Sequence, residues 1–156
     1  MTLLAEKDPD LIPLILTNIL DSCVNGISLA DPDQPDLPLV YVNKAFEKIT
    51  GYSSNEAVGK NCRFMQENDR DQIEIEKIKE AIRKKGSVEV VLRNFRKNGE
   101  LFYNHLLIST LFDSMGNLLY FLGVQNDLSA RIKAEEEIRK LKESIEKITC
   151  ELSIKT

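Results

Sequence analysis

The order of elements written into this sequence predicts an α+β fold, one antiparallel sheet of five strands with its helices gathered on one face. Three observations carry that expectation. Two short β-type runs come first, residues 43–80 then change character toward helices, and from Gly86 onward three long runs alternate with period two. The 156 residues leave room for one domain of roughly 100–120 residues and an appendage, but not for two domains. The expected boundaries are an N-terminal cap helix within residues 1–25, a core over 26–128 and a C-terminal helical segment over 129–156.

Residues from about 10 to 23 have the spacing of a short amphipathic helix. Asp10 is placed to cap it, Pro13 suits its first turn, and Leu11, Leu14, Ile15 and Ile19 recur on one side. Gly26–Asp31 reads as a strand ending in the turn-rich loop Pro32-Asp33-Gln34-Pro35-Asp36, and Leu39–Val42 as a second strand that pairs with it. Asn43 is a candidate N-cap for a short helix that presents Phe46 and Ile49 and stops at Gly51. A brief turn follows Ser53. A longer helix is expected from Asp69 to about Lys85, with Asp69 and Gln72 spaced as a capping box and Ile75, Ile78 and Ile82 as the buried stripe. Ser87–Arg96, Leu101–Phe112 and Leu118–Leu128 are strands joined by turns at Lys97-Asn98-Gly99 and Asp113–Asn117. From Ser129 the chain is charged, lacks glycine and proline, and reads as helix.

Composition narrows the function. A hydrophobic fraction of 42% with 29% charged residues is that of a globular chain and excludes wholesale disorder. The net charge of −4 argues against a nucleic-acid footprint. Apolar runs such as Leu14-Ile15-Leu16 and Val90-Val91-Leu92 are far too short to span a bilayer, and residues 1–7 do not resemble a signal peptide, so no membrane role is expected. Cys23, Cys62 and Cys150 are three and widely spaced, which excludes a disulfide framework or a CxxC metal site and suits the cytoplasm. With His105 the sole histidine, no metal centre or Ser-His-Asp arrangement can be assembled.

Alternation along the long strands separates two faces. One carries Val90, Leu92 and Asn94; Phe102, Asn104, Leu106 and Ile108; and Leu119, Phe121, Gly123 and Gln125. Three primary amides thus sit among apolar neighbours on the face assigned to the interior, where each needs hydrogen-bond partners. Partners exist in two forms: the amides and backbone satisfy one another, or a planar heterocycle presents alternating carbonyl, N–H and ring nitrogen. The other face, with Val91, Phe95, Tyr103, His105, Leu107, Tyr120, Leu122 and Val124, is too apolar to be fully solvated and calls for a cover.

The run Gly59-Lys60-Asn61-Cys62-Arg63-Phe64-Met65-Gln66 resembles the GxNCRFLQ signature of LOV domains, the blue-light-sensing, flavin-binding branch of the PAS family. Tyr41-Val42-Asn43-Lys44-Ala45-Phe46, Thr50-Gly51-Tyr52, Asn94–Gly99, Phe102-Tyr103-Asn104 and Gly123–Asp127 extend the resemblance, in family order, over roughly residues 26–128. The resemblance implies a photoreceptor that is not itself an enzyme and that binds flavin mononucleotide (FMN) in preference to FAD or riboflavin. It implies that Cys62 forms a reversible thioether with C4a of the light-excited flavin and that Arg63 clamps the phosphate. Asn61 and Gln66 would hold the ribityl chain, and Asn94 and Asn104 the pyrimidine edge. Gln125 would lie near N5 and O4, turn when N5 gains a proton and relay the signal, while Leu106, Ile108 and Phe121 line the ring. Two positions depart from the family: Lys79 stands where a second phosphate-binding arginine is usual, and Met65 where leucine is usual. A dark redox PAS domain and a flavin-free scaffold are the competing classes; Cys62 speaks against the first and the retained amides against the second.

The C-terminal segment carries its own pattern. Ala134, Ile138, Leu141, Ile145, Ile148 and Leu152 repeat in 4-3 steps, an a/d seam with Ile138, Ile145 and Leu152 at a. Glu137 then falls at g and Lys142 at the following e, the pairing of a parallel dimer, and Cys150 falls at f. The expected partner is a second copy, joined through this helix and the outer sheet face, with a kinase, phosphatase or other effector as a further possibility. The alternative is a single amphipathic helix folded back on its own sheet, with Ile132 as a residue able to cover it.

Overall fold

The computed structural model describes residues 11–154, with side chains from Pro13 to Cys150. The Asp10 cap and the side chains of Leu11 and Leu152 therefore lie outside the described residues. In chain order the elements are α1 (Leu11–Ser22), β1 (Gly26–Ala30), β2 (Leu39–Val42), α2 (Lys44–Thr50), α3 (Ser54–Ala57), a 3-10 turn (Cys62–Gln66), α4 (Ile73–Arg83), β3 (Val88–Phe95), β4 (Leu101–Phe112), β5 (Leu118–Asp127) and α5 (Ser129–Ile154). The five strands form one antiparallel sheet in the order β2-β1-β5-β4-β3, so the last strand of the chain lies at its centre. This is the expected α+β architecture.

Local chemistry explains where the short helices start and stop. The Asn43 side chain is almost fully buried and uses both ends of its amide. Its Oδ1 accepts from Phe46 N at 3.0 Å, capping α2, and from Ile27 N at 2.8 Å, while its Nδ2 donates to Leu20 O at 2.8 Å and Asn25 O at 3.1 Å. One side chain thereby joins α1, β1 and α2. Gly51 ends α2 at φ +77°, a conformation open to glycine. Ser53 and Glu56 form the capping box of α3.

The expected capping box at Asp69 and Gln72 does not form. The helix begins at Ile73 and ends at Arg83, inside the expected limits. Asp69 is occupied by Arg93, whose Nε and Nη2 donate to its carboxylate at 2.6 and 2.9 Å. Buried Gln72 spends its amide on the edge strand instead: Nε2 donates to Arg93 O at 3.0 Å, and Oε1 accepts from Arg93 N at 2.8 Å. The start of α4 is thus stitched to β3, and backbone groups of an exposed edge are satisfied. The Ile75, Ile78 and Ile82 stripe does face the core.

The inward face is as expected at every position except Leu119, which is exposed. The β4–β5 register shifts between Leu111 and Phe112, so Leu118 rather than Leu119 turns toward the core. On the outer face Val91, Leu107 and Tyr120 remain about 40% exposed. The C-terminal helix does not fold back over them. Ile132 is half-buried, but every described side chain from Lys133 to Cys150 is exposed, including Ile138, Leu141, Ile145 and Ile148.

The passage from sheet to helix is tightly held. Arg96, only 17% exposed, donates to Asp127 Oδ2 at 2.5 Å and to the Ile49 carbonyl, and its guanidinium lies 4.7 Å from the Phe102 ring centre. Leu128 N donates to Tyr103 O at 2.9 Å, and Tyr103 N donates to Ser129 Oγ at 3.0 Å. Burial alone would raise the Asp127 carboxyl, but hydrogen bonds from Arg96 and Ser129 outweigh it and hold the group below its ordinary value. On the surface, hydrogen bonds from Lys97 and Ser53 pull Glu56 down to about 2.

Both shifts are depressions, so their stabilisation is present at neutral pH and is lost as pH falls from the ordinary carboxylate range through the lower folded values. Urea unfolding followed by circular dichroism should show a lower midpoint at pH 3 than at pH 7. The Glu56→Gln/Asp127→Asn variant should show a smaller difference, and an unchanged difference would count against these two carboxylates.

Candidate functional site

A cavity of about 460 Å³ lies between the inner face of the sheet and the layer formed by the 3-10 turn and α4. Its volume is in the range that small-molecule cofactors occupy. The 3-10 turn is set by Asn61, whose Oδ1 accepts from Arg63 N at 3.0 Å and caps the turn, and whose Nδ2 donates to Asp36 O at 2.6 Å. That cap brings Cys62 to the cavity wall as the first residue of the turn, with Met65 buried beside it.

All eleven residues singled out in the sequence border this one cavity: Asn61, Cys62, Arg63, Gln66, Lys79, Asn94, Asn104, Leu106, Ile108, Phe121 and Gln125. They come from five elements, the 3-10 turn with its cap, α4, β3, β4 and β5, and those on the strands meet because antiparallel pairing sets Leu106 opposite Gln125 and Leu92 opposite Asn104. His105 lies on the other face, 2.6 Å from Glu89.

The three amides form a chain across the floor. Asn104 Nδ2 donates to Asn94 Oδ1 at 3.0 Å and to Gln125 Oε1 at 3.3 Å, Gln125 Nε2 donates to Ser28 Oγ at 3.5 Å, and Asn94 Nδ2 donates to Arg93 O at 3.0 Å. Mutual bonding therefore accounts for part of their capacity. It does not account for all of it, because the buried Asn104 Oδ1 has no partner. A buried amide oxygen left empty on a cavity wall asks for an N–H donor from a ligand. Gly123 lets Ser28 pack closely against the floor, since a Cβ there would stand 2.6 Å from Ser28 Oγ.

Burial pushes the Cys62 thiol up, against the weaker opposing pull of Arg63, so it is a neutral thiol at physiological pH. No group of three or more His, Cys, Asp or Glu side chains fit to hold a metal occurs among the described residues. The mouth is cationic: Arg63, Arg70, Lys79 and Arg83 all reach it. Arg63 pairs with Asp36, and Lys79 pairs with Glu76 at 2.6 Å.

Ser28, Arg70 and Arg83 escaped the sequence reading. Arg83 had a signal, since it stands four residues after Lys79 on one helix face, and Ser28 alternates inward between Gly26 and Ala30. Arg70 precedes α4 and had none. The donor set fits a flavin, with a polar edge against the amides, an apolar ring against Leu106, Ile108 and Phe121, and a phosphate toward the cations.

A family model described as a PAS domain matches residues 24–130. Over 124 residues the chain is 41% identical to the blue-light photoreceptor of Listeria innocua, an alignment covering 80% of this chain and 49% of that protein. Over 103 residues it is 45% identical to blue-light-activated histidine kinase 2 of Erythrobacter litoralis, covering 66% of this chain and 30% of the kinase. The chain thus spans at most about half the length of these curated relatives. Among solved structures, it matches an RNA-binding light-oxygen-voltage receptor with TM-score 0.77 and 36% identity, covering 89% of this chain and 38% of that one. It also matches the LOV domain of an Erythrobacter litoralis blue-light activated histidine kinase with TM-score 0.64 and 44% identity, covering 67% of this chain and 96% of that one.

The protonated, half-buried Cys62 thiol makes a chemical prediction. Under limiting iodoacetamide at pH 7, exposed Cys150 should be alkylated first and Cys62 last, with the Cys62 rate climbing only in alkaline solution. Peptide mass spectrometry distinguishes the sites, and rapid labelling of Cys62 at neutral pH would contradict its protonated state.

Proposed function

The chain belongs to the PAS domain family and is a LOV domain within it, and on that premise we propose that it is a blue-light sensor module holding FMN beside Cys62. The observation that carries the cofactor assignment is the unpartnered Asn104 Oδ1 on the cavity floor, set among amides whose other bonds run to one another, to Ser28 and to the Arg93 carbonyl. An isoalloxazine edge offers the donor this oxygen lacks and acceptors for the neighbouring NH₂ groups. The four cations at the mouth support a phosphorylated ligand. Arginines at 70 and 83 supply the planar forks that Lys79 does not.

When bound, the flavin supplies absorption of blue light and an excited ring carbon, C4a, open to sulfur. Cys62 supplies the rest without an auxiliary base. Its thiol would give the sulfur to that carbon and the proton to the adjoining ring nitrogen as the double bond between the two became single, and darkness would return both. A thiol that stays protonated suits this balance, because the proton must be present to be transferred.

Gln125 is the residue we assign to the relay. Its Oε1 faces Asn104 Nδ2 and its Nε2 faces Ser28 Oγ, and a serine hydroxyl can donate as well as accept. The amide can therefore turn over when the neighbouring ring nitrogen changes from acceptor to donor. Gln125 stands two residues before Asp127, which Arg96 holds at the start of α5. The output element in this reading is α5, which pairs in parallel with a second copy through its exposed seam, the outer sheet face adding apolar area. The domain itself is then sensory and not enzymatic. Resemblance to histidine kinases over less than a third of their length supports a partner or effector that performs any catalysis.

Two measurements test this function. Blue light should bleach the flavin absorption of the purified chain and darkness restore it, and Cys62→Ala should bind flavin yet show no bleaching. Persistence of the photocycle in that variant would remove Cys62 from the chemistry. Analytical ultracentrifugation should give a dimer for the chain and a monomer for a version ending at Asp127; a monomeric chain in both dark and light would rule out the paired α5.

A further inference from the structure

The eight residues between β1 and β2, 31–38, close on themselves through Asp31 N donating to Pro38 O at 3.0 Å and Leu37 N donating to Gln34 O at 3.3 Å. Asp36 and Leu37 adopt φ of +69° and +50°, consecutive left-handed residues that are neither glycine nor asparagine. Such a conformation persists only where the surroundings hold it. Here Leu37 packs on the core and lines the cavity, and Asn61 Nδ2 donates to Asp36 O at 2.6 Å. The backbone thus delivers the Asp36 carboxylate to the cavity mouth, where it pairs with Arg63.

Arg63 differs from the other cations there. Lys79 and Arg83 are paired with acids three residues earlier on their own helix, and Arg70 Nε donates to Glu67 O at 3.1 Å. Only Arg63 among them is paired across the mouth, with a residue 27 positions away. Asn61 serves both partners, capping the turn that carries Arg63 and fixing the loop that carries Asp36.

We propose that Asp36 sets how strongly this cavity prefers a phosphorylated ligand over its unphosphorylated counterpart, by occupying Arg63 in competition with the ligand's phosphate. The inference rests on the flavin reading above. A phosphate that reaches Arg63 must displace or share with a carboxylate, and the two anions repel at a separation shorter than the screening length of physiological salt. Riboflavin has the same ring and side chain without the phosphate, and its binding is indifferent to Asp36. The aspartate therefore weakens the mononucleotide selectively, keeping the two flavins closer in affinity than the cationic mouth alone would set them.

Equilibrium titration of the flavin-free chain with FMN and with riboflavin, followed by flavin fluorescence in the dark, tests this. Asp36→Asn keeps the shape and the backbone acceptor, and should tighten FMN by about tenfold while riboflavin changes by less than about twofold. In an Arg63→Gln background the same substitution should change FMN by no more than about twofold, since the contested group is gone. An FMN affinity unchanged or weakened by Asp36→Asn overturns the proposal. Equal changes for both flavins, or a full gain in the Arg63→Gln background, overturn it as well. A wild-type chain that binds neither flavin overturns the flavin reading itself, and binding of both with no effect at Asp36 overturns the role of Asp36 alone.

Discussion

Three side-chain amides buried on one face of a sheet set the constraint on which this structure turns. Asn94, Asn104 and Gln125 are each about 2% exposed or less, and the apolar neighbours Leu92, Leu106 and Phe121 offer them nothing. The chain solves most of the problem internally, passing donors from Asn104 to Asn94 and Gln125 and from Gln125 to Ser28. It leaves Asn104 Oδ1 empty. An apolar floor of the same shape would avoid that cost, so the retained oxygen is explicable by a ligand that satisfies it. The cap that turns Cys62 toward the same cavity points the same way.

The constraint reaches beyond the cavity because of topology. β5 is the last strand in sequence and the central one in space, with β1 on one side and β4 on the other. Gln125 is therefore held laterally by two neighbours while its own strand runs directly into α5. Beyond it the backbone has little freedom: Asp127 is bound to Arg96, and Leu128 and Ser129 are bound to Tyr103. Arg96 also ties this junction to the end of α2 through the Ile49 carbonyl. In the proposed relay, a change in the hydrogen bonds of Gln125 is carried along β5 into the helix.

The parts of this arrangement legible in the sequence were those set by local rules. Period-two alternation put the amides on one face, and Asn43 and Gly51 marked the ends of α2, because caps and pleats depend on near neighbours. Asp69 and Gln72 had the spacing of a cap, but Arg93, more than twenty residues on, competes for both side chains and wins. Leu119 followed the alternation and was displaced by a one-residue shift in pairing, which composition does not announce. The Asp36–Arg63 pair joins two loops and had no signal at all. The 4-3 repeat of α5 was legible as a stripe, and the structure adds that this stripe does not lie on the sheet.

That last finding bears on how a small event in the cavity could be read elsewhere. An isolated helix whose apolar stripe faces water has poor reason to remain extended, and tertiary packing normally supplies the reason. Among its described side chains α5 lacks such packing beyond Ile132, yet the helix runs for 26 residues, about 39 Å at 1.5 Å per residue. A helix of that length, held through its first turn from Ser129 to Ile132, acts as a lever: a tilt of about 5° at its base displaces its far end by about 3 Å. Knobs-into-holes packing between two such helices is sensitive to shifts of that size, since each a or d side chain must meet its own hole in the partner. The junction at Asp127-Leu128-Ser129 is thus the point at which the reorientation of one amide would be converted into a change in how two helices meet.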